Sequence, residues 1–189
     1  MHRQPLLNML KQYAEIHNDE ADVVNEIQQL VTGATDCFDR TCRPGHVTGS
    51  AWVLSHDRSQ CLLVHHRKLN RWLQPGGHAD GESDIANVAL REVREETGLT
   101  NLELPQPHGE LLPLDIDVHT IPARSDQSGN LIEDAHQHHD IRFLVIAADR
   151  QDLVLSDESH DVRWFTHQEL LKVTDEESVL RMLRKTGPL

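Results

Sequence analysis

The chain has no long hydrophobic run. None of its 189 residues falls in an apolar stretch of about 18 positions, the length that a membrane-spanning helix needs. The first five residues also lack the apolar block of a secretory signal. We therefore expect a cytoplasmic protein that does not associate with membranes. A hydrophobic content of 38% is enough at this length for one ordinary globular core.

Positive charge is scarce. Lysine and arginine together number 18, against 31 aspartates and glutamates, which gives a formal net charge of −13. This sign opposes binding to a nucleic-acid backbone, so no nucleic-acid polymer is expected as a partner. A small anionic ligand would meet the same repulsion unless metal ions neutralised part of its binding site.

Cysteine is also rare. Cys37, Cys42 and Cys61 cannot all form disulfides with one another, and the first two are not separated by the two-residue gap of a zinc knuckle. Free cysteines are commonly buried in protein cores. We predict three reduced, structural thiols.

The hydrophobic patterning predicts an α/β chain that begins with helices. Apolar residues recur at helical spacing over residues 6–31, and the polar residues 18–20 divide that stretch into two helices. The Arg43-Pro44-Gly45 turn signal then precedes a different pattern. We predict an N-terminal helical extension over residues 1–44 and a main domain over residues 45–189.

The main domain begins with strand signals. Two β-branched or apolar runs flank the polar residues 55–60 and predict an antiparallel hairpin. A short strand is predicted just before a glycine pair, and three more follow later in the chain. The predicted strands cover residues 46–54, 61–65, 72–74, 109–118, 140–147 and 162–165, with a polar loop over residues 122–130.

Helix signals fall between and after these strands. Ser83 or Asp84 can cap a helix that reaches Thr97, and Gly98 tolerates the positive φ of a helix C-terminus. Residues 166–169 have the sequence of a capping box, and residues 176–184 predict a terminal helix.

The predicted central helix carries three glutamates close together. Glu92, Glu95 and Glu96 fall within a sector of roughly 100° on a helical projection, beside an apolar sector that can pack. Three carboxylates this close repel one another unless cations lie between them. Arg91 precedes Glu95 by four residues and can hold it in one rotamer. On charge count alone the alternative is a solvated acidic face.

The glycine pair Gly76-Gly77 makes the metal-binding interpretation stronger. Glycines remove side chains where backbone must approach a ligand or turn sharply. A solvated acidic face gives no reason for this turn before the helix, or for Glu-Glu-x-Gly at its end.

These residues closely resemble the Nudix box. Its pattern is Gly, five residues, Glu, seven residues, Arg-Glu, an aliphatic residue, any residue, Glu-Glu, any residue, Gly and an aliphatic residue. The positions that match are Gly77, Arg91, Glu92, Val93, Glu95, Glu96, Gly98 and Leu99. One position departs from the pattern, because Ser83 stands in place of the first Glu, with Glu82 just before it.

The resemblance implies a fold and a reaction. The fold is a Nudix-type α/β/α sandwich with a mixed sheet over residues 45–189, in addition to the N-terminal helices. The reaction is hydrolysis of a diphosphate bond in a nucleoside diphosphate linked to another moiety, by water attack on phosphorus with Mg²⁺ or Mn²⁺. The partner would be a small nucleotide-type substrate.

The resemblance also implies roles for individual residues. Glu95 and Glu96 would hold the metal, and the Gly76 carbonyl would complete its shell. Glu92 would either join a second metal or take a proton from the attacking water. Arg91 and Glu92 are thus the expected catalytic residues.

Other residues are expected at the site with alternatives left open. Nudix proteins often add a carboxylate from a loop near the last strand, and Glu158 is either that ligand or an exposed loop charge. Arg67 and Arg71 either contact the diphosphate or belong to a solvated basic loop. Gly77 and His78 are expected to contact a phosphate. Trp72 either stacks on a base or fills the core.

A run of histidines follows the polar loop. His136, His138 and Asp140 would share one face if the segment is extended, with His119 nearby. They can form a transition-metal site, line the substrate pocket, or make ordinary hydrogen bonds.

Two other functions remain open. A ligand-binding or regulatory module without turnover is compatible with Ser83 in place of the family glutamate. An isoprenoid diphosphate isomerase would use a catalytic cysteine, for which Cys61 is the candidate. The N-terminal helices can serve a homodimer or cover the substrate cleft.

Overall fold

The computed structural model describes residues 2–106, 109–187 and 189. Its helices are α1 (Gln4–Ile16), α2 (Ala21–Gly33), α3 (Ile85–Thr97), α4 (His167–Val173) and α5 (Glu177–Thr186), with a 3₁₀ turn over Asn18–Glu20 between the first two. None of the described helices is long and apolar enough to cross a membrane.

Most strands belong to one mixed sheet. The strands are β1 (Gly45–Leu54), β2 (Cys61–His66), β3 (Arg71–Leu73), β4 (Gly76–His78), β5 (Leu102–Glu103), β6 (Asp115–Ile121), β7 (Arg124–Ser125), β8 (Leu131–Glu133), β9 (His136–Ala147) and β10 (Ser159–Phe165). The order β10-β2-β1-β9-β5 forms the main sheet, in which β3 also pairs with β2, β4 with β1 and β6 with β9. Strands β1 and β9 run parallel, and the other pairs are antiparallel.

Helices cover both faces of the sheet, as the strand alternation requires. Val47 and Val53 of β1 pack in one apolar cluster with residues of α1, α2 and α3. Trp52 and Leu54, on the opposite face, pack with residues of α4 and α5. The predicted α/β/α sandwich with N-terminal helices is confirmed.

The N-terminal helices share their core with the main domain. Leu10 of α1 and Ile27 of α2 are completely buried in the same cluster as the α3 residues Val88 and Val93. The division into an extension over residues 1–44 and a domain over residues 45–189 stays a prediction.

Local signals set the ends of α3. The Asp84 side chain accepts a hydrogen bond from the Asn87 N–H at 3.2 Å, so Asp84 rather than Ser83 is the N-cap. Gly98 ends the helix with a φ of +76°, a conformation that glycine adopts without strain. The helix lies against β1 at Gly49, where an added Cβ would meet Ile85 Cγ2 at 3.0 Å.

The prediction missed several short or shifted strands. The strand predicted over 109–118 begins only at Asp115, and β9 begins four residues earlier than predicted. The polar loop predicted over 122–130 contains β7 and leads to β8, its hairpin partner. Strand β4 is formed by the glycine pair itself, because pairing with β1 overrides the weak strand propensity of glycine.

A buried charge network joins the sheet to α5. Arg142 of β9 is 2% exposed and donates to Asp140 at 2.8 Å, Asp115 at 3.1 Å and Asp117 at 3.0 Å. Arg181 of α5 donates to both Asp115 and Asp117 at 2.8 Å. Each buried carboxylate is thereby hydrogen-bonded to a cation, which offsets the cost of removing it from water.

We predict that Arg142→Met lowers the free energy of unfolding by roughly 3–5 kcal/mol, because it leaves Asp140 buried without its cation. Urea unfolding at neutral pH measures this loss. The control is Arg184→Met, which breaks an exposed ion pair with Glu177 and should cost about 1 kcal/mol or less. Equal losses in the two variants would contradict the importance of the network.

The same network predicts an acid-sensitive stability. Burial raises the pKa of Asp117, but hydrogen bonds from His119 and Arg181 and the charge of Arg142 outweigh it and hold the pKa below its usual value. A depressed pKa in the folded state adds stability above the unfolded value of about 3.9, and this contribution disappears as the pH falls. In urea unfolding from pH 6 downward, Asp117→Asn should therefore lose less stability on acidification than wild type. Parallel curves would contradict this.

Candidate active site

Strand β4 brings the glycine pair against the glutamate face of α3. Gly77 pairs with Gly49 of β1, and a Cβ added at Gly77 would lie 2.6 Å from the Glu92 carboxyl carbon. Only glycine leaves room for the carboxylate here. The spacing between Gly77 and Glu92 in the sequence thus corresponds to a direct contact between the β4 backbone and a helix side chain.

Arg91 ties the helix to the same strand. Its Nη2 donates to the carbonyl oxygen of His78 at 2.8 Å, and its Nη1 lies 2.9 Å from Glu92 Oε1. Nη1 is also 3.5 Å from Glu95 Oε2, in the predicted i, i+4 arrangement. The contact of Arg91 with Glu92 is therefore shorter than its contact with Glu95, and Arg91 constrains the Glu92 carboxylate more strongly.

The carboxylates of Glu92 and Glu96 lie in a poorly solvated place. Burial, with a smaller effect of neighbouring carboxylates, raises the pKa of Glu92 to about 7, although Arg91 acts in the opposite direction. Burial and the charges of Glu92 and Glu158 raise the pKa of Glu96 to about 8. The buried Oε2 of Glu96 has no hydrogen-bond partner among the described residues. An unpaired oxygen of this kind suits a cation.

Glu95 and Glu158 contribute from more open positions. The Glu95 side chain is 60% exposed. Glu158 is also exposed, but its charge is close enough to raise the pKa of both Glu92 and Glu96. The loop that carries Glu158 is held by its carbonyl oxygen, which accepts from the Arg67 N–H at 3.0 Å.

The oxygen donors of these glutamates fit a hard divalent cation. Among the residues that the structure describes, the group with three ligand atoms mutually within 4.8 Å consists of histidines, not of these glutamates. Mg²⁺ is usually bound by one or two carboxylates together with waters and substrate phosphates, so a closed protein cage is not required. The buried oxygen of Glu96 and the neighbouring Glu92 can supply the one or two carboxylates.

The basic residues predicted to contact substrate have different side-chain partners. Arg67 donates a side-chain hydrogen bond to the Ser159 carbonyl at 3.1 Å, near Glu158. Arg71 pairs with Glu176 at 2.6 Å, beside the start of α5, rather than with the glutamate helix. Trp72 is half-buried, with its ring 4.9 Å from that of His65 and 4.8 Å from that of Phe165.

The turn before α3 shows how Ser83 is accommodated. Glu82 is exposed, and its Oε1 accepts from the Asp84 N–H at 3.1 Å. Its carboxylate therefore organises the turn where Asp84 caps the helix. Ser83 lies between these two residues and is not the N-cap of α3.

The histidines gather on the other face of the sheet. His136 and His138 of β9 meet His46 of β1, with ring centroids 5.0 and 4.9 Å from that of His46. The His78 ring lies 5.1 Å from that of His46, so His78 presents its side chain to this group and its carbonyl to Arg91. The sequence prediction missed His46, because the register His46↔His138 comes from parallel pairing of distant strands.

Two residues that were predicted to lie with these histidines, His119 and Asp140, have other partners. His119 is 43% exposed at its side chain and contacts Asp117 at 3.0 Å, with its ring 5.4 Å from that of His138. Asp140 faces the same side as His138, but it accepts hydrogen bonds from Thr48, Ser50 and Arg142. Asp140 therefore belongs to the buried charge network.

The cysteines are free and buried, as predicted. Cys61 is completely buried, donates to the Phe165 carbonyl at 3.6 Å, and packs in the apolar cluster under α4 and α5. Burial raises the pKa of its thiol to about 12. Because Cys61 is buried in this cluster, it is not accessible to a substrate, and the isomerase alternative loses its candidate catalytic cysteine.

Comparison with known proteins agrees with the sandwich fold. A family model described as NUDIX domain matches residues 46–185. A protein of Lactococcus lactis subsp. cremoris (strain MG1363) named "Probable DHNTP pyrophosphohydrolase" is 25% identical over 142 residues, which are 75% of this chain and 78% of that protein.

Two solved structures have a similar fold. A NUDIX-family hydrolase from Clostridium perfringens is 22% identical with a TM-score of 0.56, over 74% of this chain and 95% of that one. An Ap4A hydrolase from C. elegans is 19% identical with a TM-score of 0.55, over 74% and 93%. At these identities the structures support the fold, and the family model that spans most of the chain shows that it belongs to the Nudix hydrolase superfamily.

Proposed function

We propose that this Nudix hydrolase cleaves a diphosphate bond in a nucleoside diphosphate linked to another moiety, by metal-dependent attack of water on phosphorus. The observation that carries the proposal is the contact of the Gly77 backbone with the Glu92 carboxylate, beside the unpaired buried oxygen of Glu96. This arrangement holds carboxylate oxygens beside a strand of glycines. Because glycine has no side chain, a substrate can approach the backbone of that strand closely.

The chain's own residues have distinct proposed roles. Glu95 and Glu96 hold the cation, together with the Gly76 carbonyl and Glu158. Glu92 either takes a proton from the attacking water or joins in holding a second cation. Arg91 is held by the His78 carbonyl and in turn orients Glu92. Gly77, His78, Arg67 and Arg71 are proposed to contact the substrate.

Mg²⁺ or Mn²⁺, when bound, would supply charge neutralisation for the phosphoryl oxygens. The donor set supports this choice, because carboxylate and carbonyl oxygens favour hard divalent cations over the softer transition metals. Because the net charge of the chain is −13, such neutralisation would favour the binding of an anionic substrate.

The substrate is proposed as a class, and the names of the relatives suggest further compounds to test. The Lactococcus relative is named for dihydroneopterin triphosphate and the C. elegans structure for Ap4A. A product-resolved panel should hold these two compounds, nucleotide sugars, dinucleotides, ADP-ribose and nucleoside triphosphates, each with Mg²⁺ and with Mn²⁺. A cytoplasmic location and a homodimer also stay predictions.

A binding module without turnover is the second candidate, favoured by Ser83 in place of the family glutamate. Isothermal titration with the same panel distinguishes it from the enzyme. Tight binding of a nucleotide without any product over long incubation with both metals would support the module and overturn the hydrolase.

We predict that Glu96→Gln lowers kcat by about 100-fold or more with the best substrate of the panel. A neutral amide holds a divalent cation less well, and charge stabilisation worth several kcal/mol corresponds to such a factor. Glu95→Gln should act in the same direction. The matched control is Glu103→Gln on β5, an exposed position, which should keep wild-type activity. Folded Glu95→Gln and Glu96→Gln variants as fast as wild type would sink the proposal.

We predict that Gly77→Ala lowers kcat by about 100-fold while the protein stays folded. The added methyl occupies the place of the flexible Glu92 carboxylate, and a displacement of about 1 Å at a reacting group has an effect of this size. Steady-state kinetics and circular dichroism measure the two effects. Gly33→Ala is the control, because an added Cβ there meets nothing within 4 Å. Unchanged kcat in Gly77→Ala would show that the contact is dispensable.

A further inference from the structure

Three histidines converge where the parallel strands β1 and β9 begin. The ligand nitrogens of His46, His136 and His138 all lie within 4.8 Å of one another. His46 is 1% exposed and His136 is 3% exposed, while His138 is half-buried. The three imidazoles thus place polar ring nitrogens close together and largely away from water.

The cluster lies on the face of the sheet opposite α3. Residues alternate between faces along β1, and Gly49 faces α3, where an added Cβ would touch Ile85 and Val88. His46, three residues from Gly49, therefore points to the other side. This separates the histidines from the glutamates of the candidate active site.

Several ring nitrogens in the cluster are unsatisfied. Neither nitrogen of His46 has a hydrogen-bond partner among the described residues, and neither does Nε2 of His138. A buried polar atom without a partner keeps the cost of its removal from water and gains no hydrogen bond in return. A buried histidine with both nitrogens unpaired is thus destabilising unless something else binds there.

His136 is already oriented to bind. Its Nδ1 lies 2.8 Å from the Asp134 carbonyl oxygen, which can only accept, so Nδ1 donates this hydrogen bond and Nε2 is left for another partner. Nε2 is 4.0 Å from Glu133 Oε1, too far for a hydrogen bond. Metal-binding histidines typically donate their other N–H to a carbonyl or carboxylate in this way.

We propose that His46, His136 and His138 bind a transition-metal ion, for which Zn²⁺ is the best fit. Three imidazole nitrogens suit zinc and not Mg²⁺, which prefers oxygen ligands. Tetrahedral zinc with bonds of about 2.0–2.1 Å brings its ligands to about 3.3 Å from one another. The rings therefore have to close by at most about 1.5 Å from their present separation.

The pKa shifts of two of these histidines agree with the geometry. Burial and the neighbouring imidazoles of His78 and His136 lower the pKa of His46 to about 4. Burial and nearby histidines also lower the pKa of His138. These shifts favour the neutral forms of His46 and His138, whose lone pairs can bind zinc.

Two neighbouring side chains, those of His78 and Glu133, are candidates for a fourth ligand. The His78 ring lies 5.0 Å from that of His138, and the Glu133 carboxylate stands next to His136. Whichever of the two completes the site, the ion joins the first residues of β1 and β9 to β4 or to the β7–β8 hairpin. Zinc should therefore raise the thermal midpoint of unfolding.

The test uses tag-free, full-length protein and Co²⁺ as a spectroscopic stand-in for Zn²⁺. Titration of the metal-free protein with cobalt chloride should give visible d–d absorption that saturates at one equivalent and is lost on addition of zinc chloride. A large excess of magnesium chloride should leave the band unchanged. A protein that gives no band with cobalt and no rise in thermal midpoint with zinc would overturn the proposal.

Variants locate the ion. His136→Gln and His138→Gln should each weaken zinc binding by at least about 100-fold, more than the loss of an outer partner causes. His138→Cys should keep the ion and add a thiolate charge-transfer band, because cysteine also binds zinc. The control is His139→Gln, another buried histidine of β9 whose ring lies at Gly45 on the α3 face, and it should bind zinc as wild type does.

The outcome is independent of the hydrolase proposal. A Glu95→Gln, Glu96→Gln double variant should retain the cobalt band even where it has lost hydrolysis. Loss of the band in that double variant, with retention in His136→Gln and His138→Gln, would assign the ion to the glutamates and overturn the histidine site.

Discussion

The parallel pairing of β1 with β9 is the contact on which the rest of the structure depends. Its register runs from Gly45↔Gln137 to Leu54↔Ile146 without interruption. The last residues of both strands are apolar and hold the sandwich together, whereas the first residues are polar. Strand β1 also pairs with β4 and packs against α3, so a shift of one residue would move every side chain to the wrong face. Both the glutamate contact at Gly77 and the histidine cluster rest on this register.

Polar groups in the middle of this pair resist such a shift. Asp140 accepts from Thr48 and Ser50 of β1, and Arg142 links β9 to Asp115 of β6. Hydrogen-bonded charges of this kind stabilise little relative to apolar packing, but every misregistered alternative leaves at least one of them buried and unpaired. We interpret the network as a device that specifies the register. It lies between the histidines and the apolar half of the sheet, so it also keeps the two apart.

The sequence predicted the parts of the molecule that depend on neighbours along the chain. The capping residue Asp84, the terminal Gly98 and the capping box at Thr166 are local signals, and all three are present. Strand β4 and the place of His46 escaped prediction, because both depend on partners far away in the sequence. A glycine pair has little strand propensity of its own and becomes a strand only when β1 offers its hydrogen-bonding edge. No local pattern around His46 indicates that His138 will lie beside it.

The glutamates of α3 and the histidine cluster are each unfavourable without a bound ion, but for different physical reasons. At the glutamates the problem is repulsion between carboxylates, and any hard cation that neutralises charge relieves it. At the histidines the problem is a set of buried ring nitrogens without hydrogen-bond partners, which a metal ion with affinity for nitrogen ligands would relieve. The two sites therefore differ in the kind of ion that each prefers. Strand β4 touches both groups, since its Gly77 faces Glu92 while the next residue, His78, turns its ring toward His46. An ion among the histidines would therefore fix the strand against which the glutamates are arranged.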